Sequence, residues 1–143
     1  MLAACGDDGE TPAERAAERD QARTVEFNAQ VAKLTKPTVR PPAKPPEKIV
    51  FRDLKEGTGP PIKAGDEVGV EYIGVGPSGK VKYSSWDDRE VHTFFFGEGN
   101  YFRGWDKGVK GMREGGRRKV FFPPSQTGGH GPLTYVVDVI DIE

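Results

Sequence analysis

Apolar residues recur at alternate positions through most of the chain after Ile49, a period of two that is typical of half-buried β-strands. In "EVGVEYIGV" the alternation puts Val68, Val70 and Tyr72 on one face. The last segment, "LTYVVDVIDI", is apolar on both faces, as expected of a strand at the centre of a sheet. Turn sequences separate the segments, so the pattern predicts a sheet of short antiparallel strands.

The remaining segments complete the sheet and add one helix. "VHTFFF" puts His92, Phe94 and Phe96 on one strand face, whereas only "RGWDKGVKGM" indicates a helix, which its glycines keep short. A sheet this small cannot leave both faces exposed to water, so the helix must cover one of them. We therefore predict an α+β domain over residues 49–143 with five or six antiparallel strands and one short helix.

Residues 1–48 differ from the rest and predict a tail. In "TPAE", Thr11 can cap a helix, Pro12 suits its first position and Glu14 completes a capping box. The helix could run to about Leu34, but its apolar side is mostly alanine, so we expect it to be marginal or to depend on a partner. "KPTVRPPAKPPEK", with five prolines, predicts a semi-rigid, extended spacer.

The first residues, "MLAAC", resemble the lipobox of bacterial lipoproteins, in which the cysteine is lipidated. A complete signal carries a basic region and an apolar stretch upstream of such a site. On this pattern we expect lipidation of Cys5, a place in the cell envelope, and membrane contact only through the lipid. If the match is chance, Cys5 is a free thiol in a tail and the protein is cytoplasmic. It is the only cysteine, so no internal disulfide is expected.

Charge and motif searches exclude several function classes. The net charge is −1, from 21 basic and 22 acidic residues, which argues against a general nucleic-acid partner. "GVGPSGKV" lacks the hydroxyl residue of a phosphate loop at Val81 and leads into a strand, so it predicts a hairpin turn. His92 and His130 form no ligand-spaced cluster, and acidic residues 87–90 are expected to be solvated, so we expect neither metal nor cofactor.

The candidate chemistry is therefore aromatic. Large rings on the inward strand faces and beside the short helix could all be core, or could line an apolar pocket. A pocket floor at the start of the helix is the sharper hypothesis. The rings concerned are Tyr72, Phe94, Phe96, Tyr101, Phe102 and Trp105.

Four segments together resemble the FKBP-type peptidyl-prolyl cis–trans isomerases. They are "VEYIG", "YSSW", "FRGWDKGVKGMREGGRRKVFFPP" and "LTYVVDVIDIE", in the family's order over about Phe51 to Glu143. The resemblance implies a half-barrel sheet wrapped over one short helix. It also implies rotation about X–Pro bonds in a dry pocket, without nucleophile, base or cofactor.

By the same resemblance, Tyr72 matches the tyrosine of the pocket wall, and Trp105 the tryptophan under the proline ring. Tyr101 and Phe102 occupy the pair just before that tryptophan, where the amide of the second residue would hold the substrate carbonyl. Phe94 falls on the strand that lines the pocket, with Phe96 as a further substrate contact.

Several positions depart from the family. Lys82-Tyr83 replaces a phenylalanine-aspartate pair, so the carboxylate thought to polarise the bound amide is absent and Tyr83 stands in its place. His92 replaces an aromatic wall residue, and Val137 a phenylalanine. The flap after "FFPP" is reduced to residues 125–131 and lacks its tyrosine. We expect weak, substrate-tolerant activity and poor binding of macrolide inhibitors.

The leading hypothesis is a monomeric isomerase of the cell envelope that acts on proline-containing polypeptides. A second is a non-catalytic, chaperone-like module that holds proline-containing segments in the same groove. A third is a structural envelope protein whose pocket is vestigial.

Overall fold

The computed structural model describes residues 11–88, 91–99 and 101–143. Contacts divide the chain into two compact units, Met1–Leu34 and Thr35–Glu143. Cys5 and Glu90, which the sequence marked for lipidation and for an acidic cluster, lie outside the described residues.

The first unit contains helix α1, Pro12–Ala32. Its start is the predicted capping box: Glu14 N donates to Thr11 Oγ1 at 3.2 Å, and Thr11 N donates to Glu14 Oε2 at 2.6 Å. The helix ends two residues before Leu34. Among the described residues no helix is long and apolar enough to cross a membrane.

The second unit is the predicted antiparallel sheet with short helices. The elements are β1 (Val50–Lys55), β2 (Glu67–Val75), β3 (Val81–Ser84), α2 (Ser85–Asp88), β4 (His92–Phe95), α3 (Trp105–Val109), β5 (Arg117–Phe122), a 3₁₀ turn (Pro124–Gln126) and β6 (Leu133–Ile142). The strands pair in the order β1-β5-β6-β2-β3, and β4 pairs with the N-terminal part of β2. The apolar strand β6 is central, as its sequence predicts.

The concave face of the sheet carries the main core. Alternate residues of β6, from Leu133 to Val139, point to this face and pack with Val120 and Phe122 of β5. Trp105 and Val109 of α3 complete the core from the other side. The expectation that one short helix covers one face of the sheet is therefore confirmed.

The "GPSG" segment is a hairpin turn. Gly79 N–H donates to the carbonyl of Gly76 at 3.0 Å, and Gly76 N–H to that of Lys80 at 3.0 Å. Gly79 has φ +83°, a backbone conformation that glycine adopts without strain. Because strand β3 follows directly, the prediction of a hairpin rather than a phosphate loop is confirmed.

A short strap, residues 35–41, lies on the convex face of the sheet. Val39 is buried there with Ile73, Val75 and Val136, and Trp86 packs against the same cluster. Arg117 Nη2 donates to the carbonyl of Thr35 at 2.7 Å, and Lys36 pairs with Asp87 at 2.7 Å. The spacer interpretation of the Pro-rich segment did not anticipate this contact.

The convex face also contains a row of three charged side chains, two of them buried and one half-buried. Glu71 of β2 lies opposite Asp138 of β6, which in turn lies opposite Arg117 of β5. Arg117 Nε donates to Asp138 Oδ1 at 2.7 Å, and Glu71 accepts a hydrogen bond from the Ser85 hydroxyl. Burial raises the pKa of both carboxyl groups, so each holds its proton more tightly than in water.

Candidate functional site

A cavity of about 420 Å³ opens beside the start of α3. Its lining comes from β2, β3, the segment before α3, the first residue of α3, the loop after β5 and the start of β6, so six parts of the chain must fold before it exists. The lining residues are Tyr72, Tyr83, Tyr101, Phe102, Arg103, Trp105, Thr127, Gly128, His130 and Tyr135.

Trp105 forms the base of this cavity and is 2% exposed. Other rings meet it edge-on: the centroid of Tyr101 lies 5.0 Å away and that of Phe102 5.8 Å. Aromatic pairs prefer this arrangement because the positive edge of one ring meets the negative face of the other. The indole ring is therefore held in one orientation, with one side facing the cavity.

The backbone around Trp105 is fixed by its neighbours. Gly104 N–H donates to the carbonyl of Gln126 at 2.7 Å, and a Cβ at Gly104 would lie only 2.7 Å from the Cβ of Gln126. Only glycine permits this close approach between the helix start and the loop after β5. The loop is thereby attached to the base of the cavity.

Arg118 holds the other end of α3. Its buried guanidinium donates to the carbonyls of Gly108 at 3.0 Å and Lys110 at 2.8 Å, and to Asp53 at 2.6 Å. A cation at a helix C-terminus satisfies carbonyls that have no partner within the helix. Arg118 thus positions the helix that carries Trp105.

Tyr72 forms one wall, supported by His92. The Tyr72 hydroxyl lies 3.2 Å from Nδ1 of His92, whose Nε2 is 3.7 Å from Asp88. Burial raises the pKa of Tyr72 to about 12, so its hydroxyl stays protonated at neutral pH. His92 acts behind this wall rather than in the cavity lining.

A second tyrosine–histidine pair forms the rim. The Tyr83 hydroxyl lies 3.0 Å from Nδ1 of His130, and the two rings meet edge-on at 6.0 Å. The pair joins β3 to the short loop after β5 and so bridges the side of the cavity where the sequence lacks both a carboxylate and a long flap. Both histidines of the chain are therefore bonded to tyrosines of this cavity.

Tyr135 is a lining residue that sequence reasoning missed. Its ring lies 5.5 Å from that of Trp105 and only 4% of the residue is exposed. It reaches this place because Gly74, its partner across β2 and β6, has no side chain: a Cβ there would lie 2.5 Å from Tyr135 Cζ. Burial raises the pKa of Tyr135 as well.

Comparisons with known proteins agree with this geometry. Residues 59–133 match the family described as FKBP-type peptidyl-prolyl cis-trans isomerase. A probable FK506-binding protein of Corynebacterium glutamicum is 33% identical over 120 residues, covering 75% of this chain and 98% of that protein. The chain belongs to the FKBP-type peptidyl-prolyl isomerases.

Other relatives of this FKBP-type domain match it over different shares of their own length. An FK506-binding protein of Streptomyces anulatus is 40% identical over 92 residues, covering 63% of this chain and 74% of that protein. The chain spans only 22% of FK506-binding protein 4 of Mycosarcoma maydis, which is 39% identical over 85 residues. The crystal structure of AtFKBP13 superposes with a TM-score of 0.60 at 27% identity, over 66% of this chain and 93% of that one.

Within this FKBP-type domain, the structure brings five of the expected site residues into the cavity lining and leaves four outside it. Phe94 and Val137 are buried beneath the lining, Phe96 packs against the main core, and His92 stands behind Tyr72. Those in the lining are Tyr72, Tyr83, Tyr101, Phe102 and Trp105.

The lining residues that sequence reasoning missed fall into two kinds. Tyr135 could have been found, because it lies two residues before Val137 and so shares its strand face. Arg103 could also have been found, because it lies between the predicted Phe102 and Trp105. His130, Thr127 and Gly128 carry no such signal, since only the packing of the loop after β5 brings them to the cavity.

Proposed function

We propose that this FKBP-type isomerase accelerates X–Pro rotation by seating the proline ring on Trp105. Amide resonance sets a barrier of roughly 18–20 kcal/mol to that rotation. The twisted amide has lost this resonance and its carbonyl is less strongly solvated than the planar form, so a dry aromatic cavity favours it. Lowering the barrier by about 5 kcal/mol corresponds to a several-thousand-fold acceleration.

The observation that carries this proposal is the cavity itself, with Trp105 at its base and tyrosine walls. The amide N–H of Phe102 is the group that would hold the substrate carbonyl. The Tyr72 hydroxyl, with its pKa raised by burial, remains a neutral donor at neutral pH. These groups bind and orient the peptide, and no proton transfer is needed.

We further propose that turnover is weak and tolerant of substrate. Tyr83, bonded to His130, occupies the position of the expected carboxylate, so that negative charge is missing from the lining. The loop of residues 125–131 is too short to close over a bound peptide. The affinity for FK506-like macrolides should be low for the same two reasons.

We also propose that the protein acts in the cell envelope, as a monomer anchored by a lipid on Cys5. Its support is the "MLAAC" pattern ahead of a polar tail. Mass spectrometry of the N-terminal peptide from protein made in a bacterial host with its native upstream sequence tests the anchor. An acyl mass on Cys5 that disappears in Cys5→Ser is expected, and an unmodified thiol would contradict it.

Isomerase activity is tested by proline-limited refolding of a reporter protein with the full chain. Trp105→Leu keeps an apolar side chain but removes the ring, and it should abolish acceleration. The matched control is Trp86→Leu, which removes the other tryptophan, from the convex face, and should keep it. Equal rates for the two folded variants would refute the proposed role of Trp105.

The second candidate is a chaperone-like module that binds proline-containing segments without turning them over. The Tyr83–His130 rim favours it, since the lining formed by the described residues contains no carboxylate to polarise an amide. Peptide binding that Trp105→Leu abolishes, with no acceleration of refolding by the wild type, would select this function. Measurable turnover would exclude it.

A further inference from the structure

The hydroxyl group of Tyr72, on the cavity wall, is joined to the side chain of His92. Tyr72 lies on β2 and His92 on β4, and these strands pair with His92 opposite Val70. The Tyr72 oxygen is 3.2 Å from Nδ1 of His92, and the two rings meet edge-on with their centroids 5.2 Å apart. His92 lies outside the cavity lining, so it acts on a bound peptide through Tyr72.

Carboxyl groups on two elements act on the ring of His92. Asp88 of α2 places Oδ2 at 3.7 Å from Nε2, and Glu71 of β2 interacts with the ring electrostatically. The gap between Asp88 and Nε2 is longer than a hydrogen bond, but a carboxylate at this distance attracts a hydrogen on that nitrogen. His92 therefore keeps Nε2 towards α2 and Nδ1 towards Tyr72.

The single hydrogen of the Tyr72 hydroxyl is given in one of two directions. Burial raises the pKa of Tyr72 to about 12, so the hydroxyl keeps this hydrogen at neutral pH. When Nδ1 of His92 carries no hydrogen, it accepts that of Tyr72, and the lone pairs of the Tyr72 oxygen face the cavity. When Nδ1 carries a hydrogen, it donates to the Tyr72 oxygen and leaves the Tyr72 hydrogen for the cavity. Nδ1 thus sets what this wall offers to a peptide.

We propose that His92 is a positioning residue for X–Pro isomerisation, because its Nδ1 sets the direction of the Tyr72 hydroxyl. This rests on the proposed function, in which Tyr72 forms a wall beside the proline ring on Trp105. A polar group that is held before the peptide arrives does not have to reorient while the amide twists. Without Nδ1 the hydroxyl turns freely about its C–O bond, and part of its contribution to the twisted state is lost.

Two variants of the full chain separate this hydrogen bond from the packing of the imidazole ring. His92→Asn keeps a hydrogen-bonding atom at the δ1 position and removes the ring, whereas His92→Phe keeps a ring and removes the nitrogen. One hydrogen bond between neutral groups changes a rate constant by about 2- to 10-fold. In a proline-peptide isomerisation assay, kcat/KM should fall by this factor in His92→Phe and stay close to the wild-type value in His92→Asn. Equal values in the two variants, or the reverse order, would overturn the proposal.

A Tyr72→Phe background gives an independent readout of the same contact. The wall keeps its ring there but has no hydroxyl, so adding His92→Phe should lower kcat/KM no further. A loss as large as in the wild-type background would show that His92 acts by packing alone. The matched controls are Thr93→Asn and Thr93→Phe, which change an exposed residue on the opposite face of β4 and should keep wild-type kcat/KM.

A spectroscopic measurement keeps the test independent of turnover. In long-range ¹H–¹⁵N spectra, the Nδ1 resonance of His92 should shift in Tyr72→Phe. That of His130, which is bonded to Tyr83, should stay in place. An unchanged His92 resonance would overturn the proposal. Absence of turnover by the wild type would instead count against the proposed isomerase function, and the resonance would still show whether Nδ1 holds the hydroxyl.

Discussion

Gly74 and Tyr135 are in close contact, and the energetic cost of adding a side chain at Gly74 can be worked out from the distances between them. An ideal Cβ at Gly74 would lie 2.5 Å from Cζ of Tyr135 and 2.8 Å from each Cε. Ordinary contact begins at 3.4 Å, so Gly74→Ala forces the ring to move by about 1 Å. The ring cannot retreat freely, because it packs edge-on against Trp105 at 5.5 Å and Phe122 at 5.8 Å.

Overfilling a packed site of this kind costs about 1–3 kcal/mol. Alanine in a strand otherwise gains about 0.5–1 kcal/mol over glycine, so the net loss from Gly74→Ala should be about 1–2 kcal/mol. In a Tyr135→Leu background the obstructing ring is gone, and the same substitution should be neutral or slightly stabilising. The two sites should therefore be coupled by about 1–3 kcal/mol.

Urea unfolding followed by circular dichroism gives the free energies for the four proteins of this cycle. Tyr135→Phe is the control background: it keeps Cζ and both Cε atoms, so Gly74→Ala should cost the same there as in wild type. Coupling below about 0.5 kcal/mol, the usual error of additivity, would refute the steric account. Because the displaced ring enters the cavity, Gly74→Ala should also reduce kcat/KM.

Three further substitutions test the surroundings of the site. Val39→Asp should destabilise the domain by about 2–4 kcal/mol, measured by urea unfolding, because it buries a charge in the convex-face cluster. A loss below about 0.5 kcal/mol, as for a substitution on the surface, would show that the strap does not pack there. Arg118→Met should lower stability by about 3 kcal/mol, since two helix carbonyls and Asp53 lose a charged donor; a rise in Tm would contradict this. Burial raises the pKa of Glu71, so its stabilising contribution is full below the unfolded value of about 4.3 and is lost as pH rises through the higher folded value. Glu71→Gln should therefore gain in Tm relative to wild type as the pH rises above about 4. A Tm difference that does not change with pH would disprove the raised pKa of Glu71.

The strands could be predicted because burial of one face makes apolar residues recur at every second position. The short helix could be predicted from "RGWDKGVKGM", whose glycines limit its length. The base of the cavity at Trp105 followed from the resemblance around "FRGWDKGV". Val137 was expected at a pocket position on the last strand, but the ring that lines the cavity comes from Tyr135, two residues earlier. The period of two puts both residues on the same strand face, so it makes Tyr135 a candidate but cannot show which of the two reaches the cavity.

Other features depend on tertiary packing that leaves no local pattern. Val39 is a single apolar residue among prolines, so no periodic pattern in the sequence indicates that it is buried. His130 lies in a glycine-rich loop, and only the closing of that loop brings its ring to Tyr83. Glu71 and Asp138 are polar residues in strands, and their shared burial appears only when β2 and β6 pair.

The strap on the convex face determines where a mechanical load along the chain would enter the domain. A pull from the N-terminal side first meets the Arg117–Thr35 hydrogen bond and the Val39 contact, before it can reach β1. These contacts pass the force to the central strands β5, β6 and β2. Two of these strands, β2 and β6, also carry Tyr72 and Tyr135 of the cavity lining. Tension on the N-terminal side would therefore reach the walls of the pocket through the strands that form them.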